Sequence, residues 1–368
     1  MRAEGQSLFV DAGQVARRVV LEGVAPACAA GCAARGSGVG PDPGGAEWTC
    51  EVGGDTGLYF DLASVTKPMT AVAVVRAGID RRTPLEELLP EVRGTASGPV
   101  ALELFLAHRA GLDAHRTLYA PLVEGKAIEP AAALREAADA RRPDAVGAPP
   151  EEGFAPLYSD LGYVLAGAAL ARAVGARDAG EAIARLVLEP LGLGGRAGTV
   201  RELEARGVRG PFAPTETVAW RGGPVVGAVH DENAWALTGR GGSGHAGIFA
   251  TIDAVLAFGE AVLDALHATD ELDWLVRPRP GGCLRAGFDG KSERGSSAGD
   301  RMGPGTFGHL GFTGTSLWID PDARAVVALL TNRVCPTREH LAIRAARPPA
   351  HDALFERAMA LALGPGQP

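Results

Sequence analysis

The chain has 368 residues, of which 46% are hydrophobic and 22% are charged, and its formal net charge is -8 at pH 7. This acidic balance excludes a nucleic-acid or anionic-membrane surface as the main partner, because both bind through basic patches. No apolar run reaches the roughly 18 residues of a membrane-spanning helix. Residues 1–11 lack the basic and apolar stretches of a secretory signal, so we expect a cytoplasmic protein.

The N-terminal part predicts a short amphipathic helix followed by a hairpin. Residues 14–21 have helical periodicity. Residues 27–34 are small and mostly apolar, and residues 47–52 alternate between polar and apolar side chains, as in a half-buried strand. The Gly- and Pro-rich stretch 36–45 between them predicts a long hairpin loop.

The middle of the chain is predicted to be mainly helical. Apolar residues at helical spacing stop at Gly78 and again at Gly175, two suitable C-terminal caps. Ser159 or Asp160 is suited to cap the helix that follows it. The predicted helices cover 65–77, 83–89, 101–107, 130–142, 161–174 and 178–188.

The C-terminal part returns to strands. Residues 315–319 and 325–331 are β-rich and are joined by Asp320-Pro321-Asp322-Ala323, a good hairpin signal. A final helix is predicted over 350–363, and the polar, Gly-rich stretch 277–305 is predicted to be a long loop. The predicted fold class is therefore α/β (α+β), an antiparallel sheet flanked by helices. Residues 1–70 and 236–368 would form the sheet domain, with residues 71–235 inserted as a helical domain.

Ser64 and Lys67 form the most informative pair of residues. They are three apart at the start of a predicted helix, so their side chains share one face. A serine hydroxyl becomes a good nucleophile when a base removes its proton. A lysine serves as that base only when its pKa falls below the reference value of about 10.4, and burial acts in that direction. Alone, the pair fits a serine helix cap beside a solvated lysine better.

Two later segments carry further candidate residues. Tyr158 precedes a helix start, and a phenol near a lysine ammonium can shuttle protons; on its own it fits a packing anchor better. The Gly-rich stretch 308–315 leads into a predicted strand, and its backbone N–H groups can approach a ligand closely. On its own this stretch reads as a β-turn.

Taken together and in this order, these residues resemble the serine β-lactamase and penicillin-binding-protein superfamily. Its pattern is Ser-x-x-Lys, Tyr-x-Asn, then Lys-Thr-Gly or His-x-Gly. Tyr158 follows Ser64 by 94 residues, and His309 follows Tyr158 by 151. The resemblance covers roughly residues 15–365. It is strongest to the branch of class C β-lactamases, D-alanyl-D-alanine carboxypeptidases and related esterases.

Other stretches resemble the same superfamily. Residues 104–112 are similar to its Leu-Leu-x-His-x-Ser-Gly-Leu segment, 158–167 to its Tyr-Ser-Asn-x-Gly-Tyr helix, and 189–193 to its Pro-Leu-Gly-Met turn. Residues 229–233 and 241–249 resemble Val-His-Asp-Glu-Asn and Gly-His-Ala-Gly-Leu-Phe in bacterial serine hydrolases.

The resemblance implies a catalytic role for each motif. Ser64 would form an acyl-enzyme and Lys67 would be the base for acylation. Tyr158 would exchange protons with Lys67 and with the leaving group. The backbone N–H groups of Ser64 and Phe312 would form the oxyanion hole. His309 would orient Tyr158 or a substrate carboxylate.

Two departures from the superfamily pattern bear on the substrate. Asp160 replaces the Asn of Tyr-x-Asn, and an ionised carboxylate only accepts hydrogen bonds, whereas an amide also donates. The third motif is His309-Leu310-Gly311, and a mostly neutral histidine holds a carboxylate less well than a lysine. Asp160, His309 and Gly311 are therefore the expected substrate-binding positions, with an ester or peptide-like substrate favoured over a β-lactam.

Several other residues are interpreted as structural and not as part of a catalytic or metal site. His230, Asp231, Glu232 and His245 fit no common zinc spacing and are interpreted as a structural polar cluster, with no metal or other cofactor expected. His108 is interpreted as an anchor for the loop after its helix. An odd number of cysteines does not suggest a disulfide framework, and they are expected to be small buried hydrophobic residues: Cys28, Cys32, Cys50, Cys283 and Cys335.

The sequence therefore predicts a serine hydrolase acting on a small-molecule ester or amide, with neither nucleic acid nor membrane as partner. A β-lactamase or D-Ala-D-Ala carboxypeptidase would use the same residues and stays open. A catalytically silent penicillin-binding or sensor protein is the alternative of another class. Oligomeric state and natural substrate stay undetermined.

Overall fold

A computed structural model describes residues 10–36 and 47–363. The α-helices are α1 (Ala12–Leu21), α2 (Thr66–Arg76), α3 (Leu85–Leu88), α4 (Leu102–Leu106), α5 (Ala120–Val123), α6 (Pro130–Asp139), α7 (Asp160–Ala173), α8 (Ala179–Ile183), α9 (Val200–Ala205), α10 (Glu232–Thr238), α11 (Ile252–Ala268), α12 (Asp273–Val276) and α13 (Ile343–Leu363). The strands are β1 (Cys28–Arg35), β2 (Trp48–Gly54), β3 (Phe60–Asp61), β4 (Ala197–Gly198), β5 (Thr217–Val218), β6 (Gly223–Pro224), β7 (Phe249–Ala250), β8 (Asp289–Gly290), β9 (Phe307–Leu310), β10 (Ser316–Asp320) and β11 (Ala325–Thr331).

The main sheet joins the two ends of the chain. Its strand order is β2-β1-β11-β10-β9-β8, and every neighbouring pair is antiparallel. In the central pair, Cys28 lies opposite Thr331 and Ala34 opposite Ala325. The predicted antiparallel sheet flanked by helices is confirmed. The short strands β3, β7 and β4 form a second sheet, and β3 lies in the segment that leads into α2.

Helices cover both faces of the main sheet. Successive side chains of a strand point to opposite faces, and β11 follows this rule: Val326, Ala328 and Leu330 pack in the same cluster as α11, whereas Val327 and Leu329 pack with α1 and α13. Residues 28–34 of strand β1 are all Cys, Ala or Gly and are buried. Small side chains let helices approach a sheet closely, so the sequence of β1 suits a strand covered on both sides.

The structure departs from the predicted elements at the C-terminal end. The last helix begins at Ile343, not at residue 350, and runs through Pro348 and Pro349. A proline already has a helical φ, but inside a helix it removes one N–H bond and clashes with the preceding turn, at a cost of about 3 kcal/mol. The helix nevertheless begins before the prolines, so they do not mark its start. The predicted loop 277–305 contains β8, and β9 and α11 were not predicted at all. Strand β8 has the turn-like sequence Asp-Gly, which carries no strand signal.

Some predictions fall outside the structure or stay open. Apart from Gly36, the predicted loop 36–45 lies outside the described residues, as do residues 1–9 of the N-terminal stretch. The division into a sheet domain and an inserted helical domain stays a prediction. Within residues 10–36 and 47–363, no helix combines the length and the apolar character needed to cross a membrane.

Gly308 in β9 shows how tightly the strands that carry the site are packed. A Cβ at this position would overlap the carbonyl oxygen of Leu317 and lie 2.8 Å from Trp318 Cα, both on β10. We predict that Gly308→Ala lowers the free energy of unfolding by about 1–3 kcal/mol, the usual cost of overpacking. The measurement is urea unfolding, with Gly195→Ala as control, since a Cβ there meets nothing within 4 Å. Equal stability of the two variants would contradict the packing described.

Candidate active site

Ser64 lies in a tight turn held by a buried carboxylate. The turn spans Ala63–Val65 and leads directly into α2. Asp61 accepts hydrogen bonds from the backbone N–H groups of Ala63, at 2.8 Å, and His230, at 2.7 Å. Burial raises the pKa of Asp61, although both hydrogen bonds act in the opposite direction. Ala63 has a left-handed φ of 46°, so the residue before Ser64 is held in a conformation that costs a non-glycine residue about 1–3 kcal/mol.

The same turn is tied to the connection between β9 and β10. Thr313 Oγ1 donates to the carbonyl of Asp61 at 2.7 Å, and Thr315 Oγ1 donates to the carbonyl of Leu62 at 2.8 Å. All four residues are buried. These two bonds set the Gly-rich connection at a fixed distance from Ser64.

Lys67 is fully buried and directly contacts Ser64. Its Nζ lies 2.8 Å from Ser64 Oγ and 2.7 Å from Asp160 Oδ1. It also lies 4.7 Å from the centre of the Tyr158 ring and 5.5 Å from that of Tyr163. A buried ammonium needs a counter-charge, and Asp160 supplies it.

Asp160 reaches Lys67 because of its place at the start of α7. Ser159 is the N-cap of that helix, and its Oγ accepts from the backbone N–H of Gly162 at 3.4 Å. Asp160 is therefore the first helical residue, where the helix dipole favours a negative charge. Burial would raise the pKa of Asp160, but the ammonium of Lys67 and nearby His245 lower it below its usual value.

Tyr158 is enclosed by two histidine rings. It stacks on His108, with ring centroids 4.6 Å apart, and lies 5.9 Å from the ring of His309. Burial, with the negative charge of Asp160, raises the pKa of Tyr158 well above its usual value, while a hydrogen bond with the Ser64 side chain lowers it. The phenol therefore stays protonated unless a proton acceptor approaches it.

Both histidines beside Tyr158 are held in the neutral form. His108 Nδ1 accepts from the backbone N–H of Ser159 at 3.0 Å, and burial with nearby Lys67 and His309 lowers the pKa of His108 to about 3. His309 Nδ1 lies 2.8 Å from the carbonyl of Leu310, and burial lowers its pKa as well. Its Nε2 is buried and has no partner among the described residues.

The peptides before and after Phe312 are oriented by arginines that the sequence analysis did not identify. Arg347 Nη2 donates to the carbonyls of Gly311 and Thr315, both at 2.9 Å, and Arg333 Nε donates to the carbonyl of Phe312 at 2.8 Å. In a trans peptide the N–H points away from the C=O. The N–H of Phe312 therefore points away from Arg347, and in the described chain it has no acceptor.

Gly311 itself leaves no room for a side chain. A Cβ there would overlap Thr315 Oγ1 and lie 2.5 Å from the carbonyl oxygen of Leu62. The glycine of the His309-Leu310-Gly311 motif is therefore required by the approach of two backbone segments.

These residues surround one cleft of about 450 Å³. Its rim includes Phe312, which is 50% exposed although it stacks on His230 and packs under Arg333. The lining comprises Ala63, Ser64, His115, Tyr119, Tyr158, Asp160, His230, Asp231, Glu232, His245, Ala246, Leu310, Gly311, Phe312, Arg333, Arg338, Leu341, Ile343, Arg344 and Arg347. The predicted residues Ser64, Tyr158, Asp160, Gly311 and Phe312 thus line one cleft. Lys67 contacts Ser64 and the ring of His309 lies 5.9 Å from that of Tyr158.

The polar residues at 230–232 and 245 lie in the cleft wall in two separate groups of contacts. His230 Nε2 lies 2.9 Å from Glu216 Oε2, and Arg338 binds both Glu216 and Glu232. His245 pairs instead with Asp231. Among the described residues no group of three His, Cys, Asp or Glu side chains is placed to hold a metal ion.

Two expectations about single residues are corrected. Asp160 was expected to offer its carboxylate to the substrate, but Oδ1 is paired with Lys67. The cysteines were expected to be buried; Cys28 and Cys32 are, whereas Cys50 and Cys283 are exposed. The first error arose because a sequence pattern does not show which charge a carboxylate faces.

Comparisons with protein families and solved structures agree with the resemblance seen in the sequence. A family model described as beta-lactamase matches residues 25–350. A search of the curated proteins finds no match. Solved structures are similar in fold. A β-lactamase of Mycobacterium bovis, Mb2281c, is 22% identical, with 92% of this chain and 98% of that chain covered and a TM-score of 0.57.

Two further solved structures have the same fold at lower identity. EstCE1, described as a hydrolase with promiscuous acyltransferase activity, is 20% identical over 90% of this chain and 96% of that one, with a TM-score of 0.61. A penicillin-binding-protein homologue from Caulobacter crescentus is 17% identical over 95% of this chain and 99% of that one, with a TM-score of 0.62.

The neutral His108 makes stability depend on pH. Its pKa is about 3 in the folded protein and 6.5 as an ordinary histidine. Between these values the unfolded chain binds a proton that the folded chain does not, so stability falls as pH falls. We predict that His108→Asn reduces the slope of unfolding free energy against pH between 6.5 and 4 by up to about 1.4 kcal/mol per pH unit. Asn also tolerates the left-handed φ of 59°. An unchanged slope in urea titrations at several pH values would contradict the buried neutral histidine.

Proposed function

The chain belongs to the β-lactamase family, and on that premise we propose that it is a serine hydrolase that cleaves an ester or amide through an acyl-enzyme on Ser64. Members of this family are typically serine hydrolases that act on small-molecule esters, amides or β-lactams. The observation that carries the proposal is the 2.8 Å contact between Ser64 Oγ and the Nζ of the fully buried Lys67.

Acylation in this proposal begins with transfer of the Ser64 proton to Lys67. The amine form of Lys67 takes the proton while Oγ bonds to the substrate carbonyl carbon. The Ser64 hydroxyl is within hydrogen-bond reach, as general-base catalysis requires.

The developing oxyanion would be bound by backbone N–H groups. The free N–H of Phe312 and the N–H of Ser64 are the proposed donors. The bond from Arg347 to the Gly311 carbonyl holds the peptide of the Phe312 N–H, and the bond from Thr315 holds the Leu62 carbonyl, one peptide before that of the Ser64 N–H. Fixed donors of this kind stabilise the transition state without reorganising during the reaction.

Tyr158 is proposed to deliver the proton to the leaving group. Its phenol stays protonated because of burial, and the neighbouring Lys67 ammonium can return a proton to it. The carbon–leaving-group bond then breaks as the leaving atom receives this proton. Water attacks the acyl-enzyme in the second half of the reaction and releases the acid, with Ser64 regaining its hydrogen.

A β-lactamase or carboxypeptidase activity is the second candidate, and one observation favours it. Arg333 and Arg347 have no carboxylate partner within the described chain, and Arg344 is exposed on the same wall of the cleft. This positive wall offers a carboxylate the charge that His309 does not. A silent penicillin-binding protein would share the same cleft, but would be acylated without turnover.

The first test concerns the nucleophile. We predict that a fluorophosphonate probe labels Ser64 stoichiometrically and that Ser64→Ala abolishes both labelling and ester hydrolysis. Peptide mass spectrometry locates the label, and Ser292→Ala serves as a control because that exposed serine is not part of the cleft lining. Label on another residue, or label that survives in Ser64→Ala, would overturn the assignment.

The second test separates the two candidate activities. We predict that kcat/KM for p-nitrophenyl butyrate exceeds that for benzylpenicillin, because a mostly neutral His309 binds a carboxylate weakly and a phenolate leaves without protonation. We further predict that Arg344→Ala lowers kcat/KM for benzylpenicillin several-fold and leaves the neutral ester unaffected. Efficient penicillin hydrolysis with negligible ester hydrolysis would instead establish the second candidate.

A further inference from the structure

Part of the cleft wall is built around a doubly bound arginine that the proposed reaction does not use. Arg338 Nε lies 2.6 Å from Glu216 Oε2, and Arg338 Nη2 donates to Glu232 Oε1. Glu216 precedes β5, Glu232 begins α10 and Arg338 follows β11, so one guanidinium ties together three segments that are far apart in sequence. These three residues form an arginine bridge, in which both carboxylate side chains are mostly buried.

The backbone around Arg338 is also fixed. Its N–H donates to Glu216 Oε1 at 3.2 Å. Arg333 Nη1 donates to the carbonyl of Arg338 at 2.7 Å and to that of His340 at 3.1 Å. An arginine side chain has much rotamer freedom to lose, and here the backbone and the guanidinium are both bound. The arginine bridge is therefore a defined surface and not a loose charged side chain.

The arginine bridge lies close to the turn that carries the nucleophile. Glu216 Oε2 lies 2.9 Å from His230 Nε2. The backbone N–H of His230 donates to Asp61 at 2.7 Å, and Asp61 is the carboxylate that holds the turn containing Ser64. One histidine and one aspartate thus connect the arginine bridge to that turn, so a substrate group that extends this way from Ser64 soon meets charged atoms.

Phe312 gives the same region an apolar surface. Its ring stacks on that of His230, with centroids 5.8 Å apart, and Arg338 Cζ lies 5.9 Å from its centroid. The ring is half exposed in the cleft. Because the N–H of Phe312 is a proposed oxyanion donor, the ring belongs to the immediate surroundings of the substrate carbonyl. The leaving group has to reach Tyr158, so the group on the other side of the carbonyl carbon is the acyl chain.

We propose that the ring of Phe312 receives the acyl chain of the substrate and that the arginine bridge limits this chain to a short one, such as acetyl to butyryl. The inference rests on the proposed acyl-enzyme on Ser64 and names its substrate class. A short chain packs on the ring. A longer chain meets a guanidinium and two carboxylates, and its methylenes take water from these charges without giving them a hydrogen bond in return.

The test is kcat/KM of the full chain for p-nitrophenyl acetate, butyrate and octanoate, which differ only in acyl length. We expect the wild type to hydrolyse the octanoate at least about tenfold less efficiently than the butyrate. Arg338→Ala opens the space between Glu216 and Glu232 and should raise the octanoate-to-butyrate ratio by about tenfold, whereas Arg338→Lys keeps a long cation and should stay near the wild type. Arg240→Ala is the matched control, because it removes an exposed arginine paired with Glu204, and it leaves the ratio in place.

The ratio separates selection of chain length from damage to the fold, because damage lowers the rates of all esters alike. If Arg338→Ala does not fold, Glu232→Gln weakens one arm of the arginine bridge and should raise the ratio by a smaller factor. The ratio of phenyl acetate to 2-naphthyl acetate, in which only the leaving group changes, should be the same in the wild type and in Arg338→Ala.

Three results would overturn the inference: wild-type hydrolysis of the octanoate as efficient as that of the butyrate, an unmoved ratio in a folded Arg338→Ala protein, or a change confined to the leaving-group pair. The proposed function fails separately, if the wild type hydrolyses none of these esters or if hydrolysis survives in Ser64→Ala.

Discussion

The site depends on one buried charge. Lys67 has no exposed surface, and its ammonium is satisfied by Asp160 at 2.7 Å and Ser64 at 2.8 Å. A lysine so placed must either keep a counter-charge or lose its proton. The packing around it follows from this need: α2 supplies the lysine and α7 supplies the carboxylate at its first turn. The rings of Tyr158 and Tyr163 exclude water.

The sheet contributes the second half of the site. Strands from both ends of the chain fix β9 and β10, and the turn between them is tied to the segment before Ser64 by Thr313 and Thr315. Arg347, on α13, orients the carbonyl of Gly311 from the opposite side. The nucleophile and the proposed oxyanion donors are therefore positioned by three elements that are far apart in sequence. This arrangement is rigid because each tie is buried.

Much of this could be predicted from the sequence. The Ser64–Lys67 spacing, the caps of α7 and the β10–β11 hairpin are local signals, and local signals specify local structure. What could not be predicted depends on distant contacts. Arg347 lies in a helix with two prolines, and no sequence motif marks it as a residue that orients the site. Asp160 was interpreted as a charge that faces the substrate, because the sequence does not show that it pairs with Lys67. Strand β8 has only two residues and owes its existence to pairing with β9.

The most direct measurement is a crystal structure of the protein phosphonylated at Ser64, in which the phosphonyl oxygen stands where the oxyanion would form. The account predicts that this oxygen accepts hydrogen bonds from the backbone N–H groups of Ser64 and Phe312, with Lys67 Nζ within hydrogen-bond distance of Oγ and still paired with Asp160. A phosphonyl oxygen turned towards solvent, away from the N–H of Phe312, would contradict it.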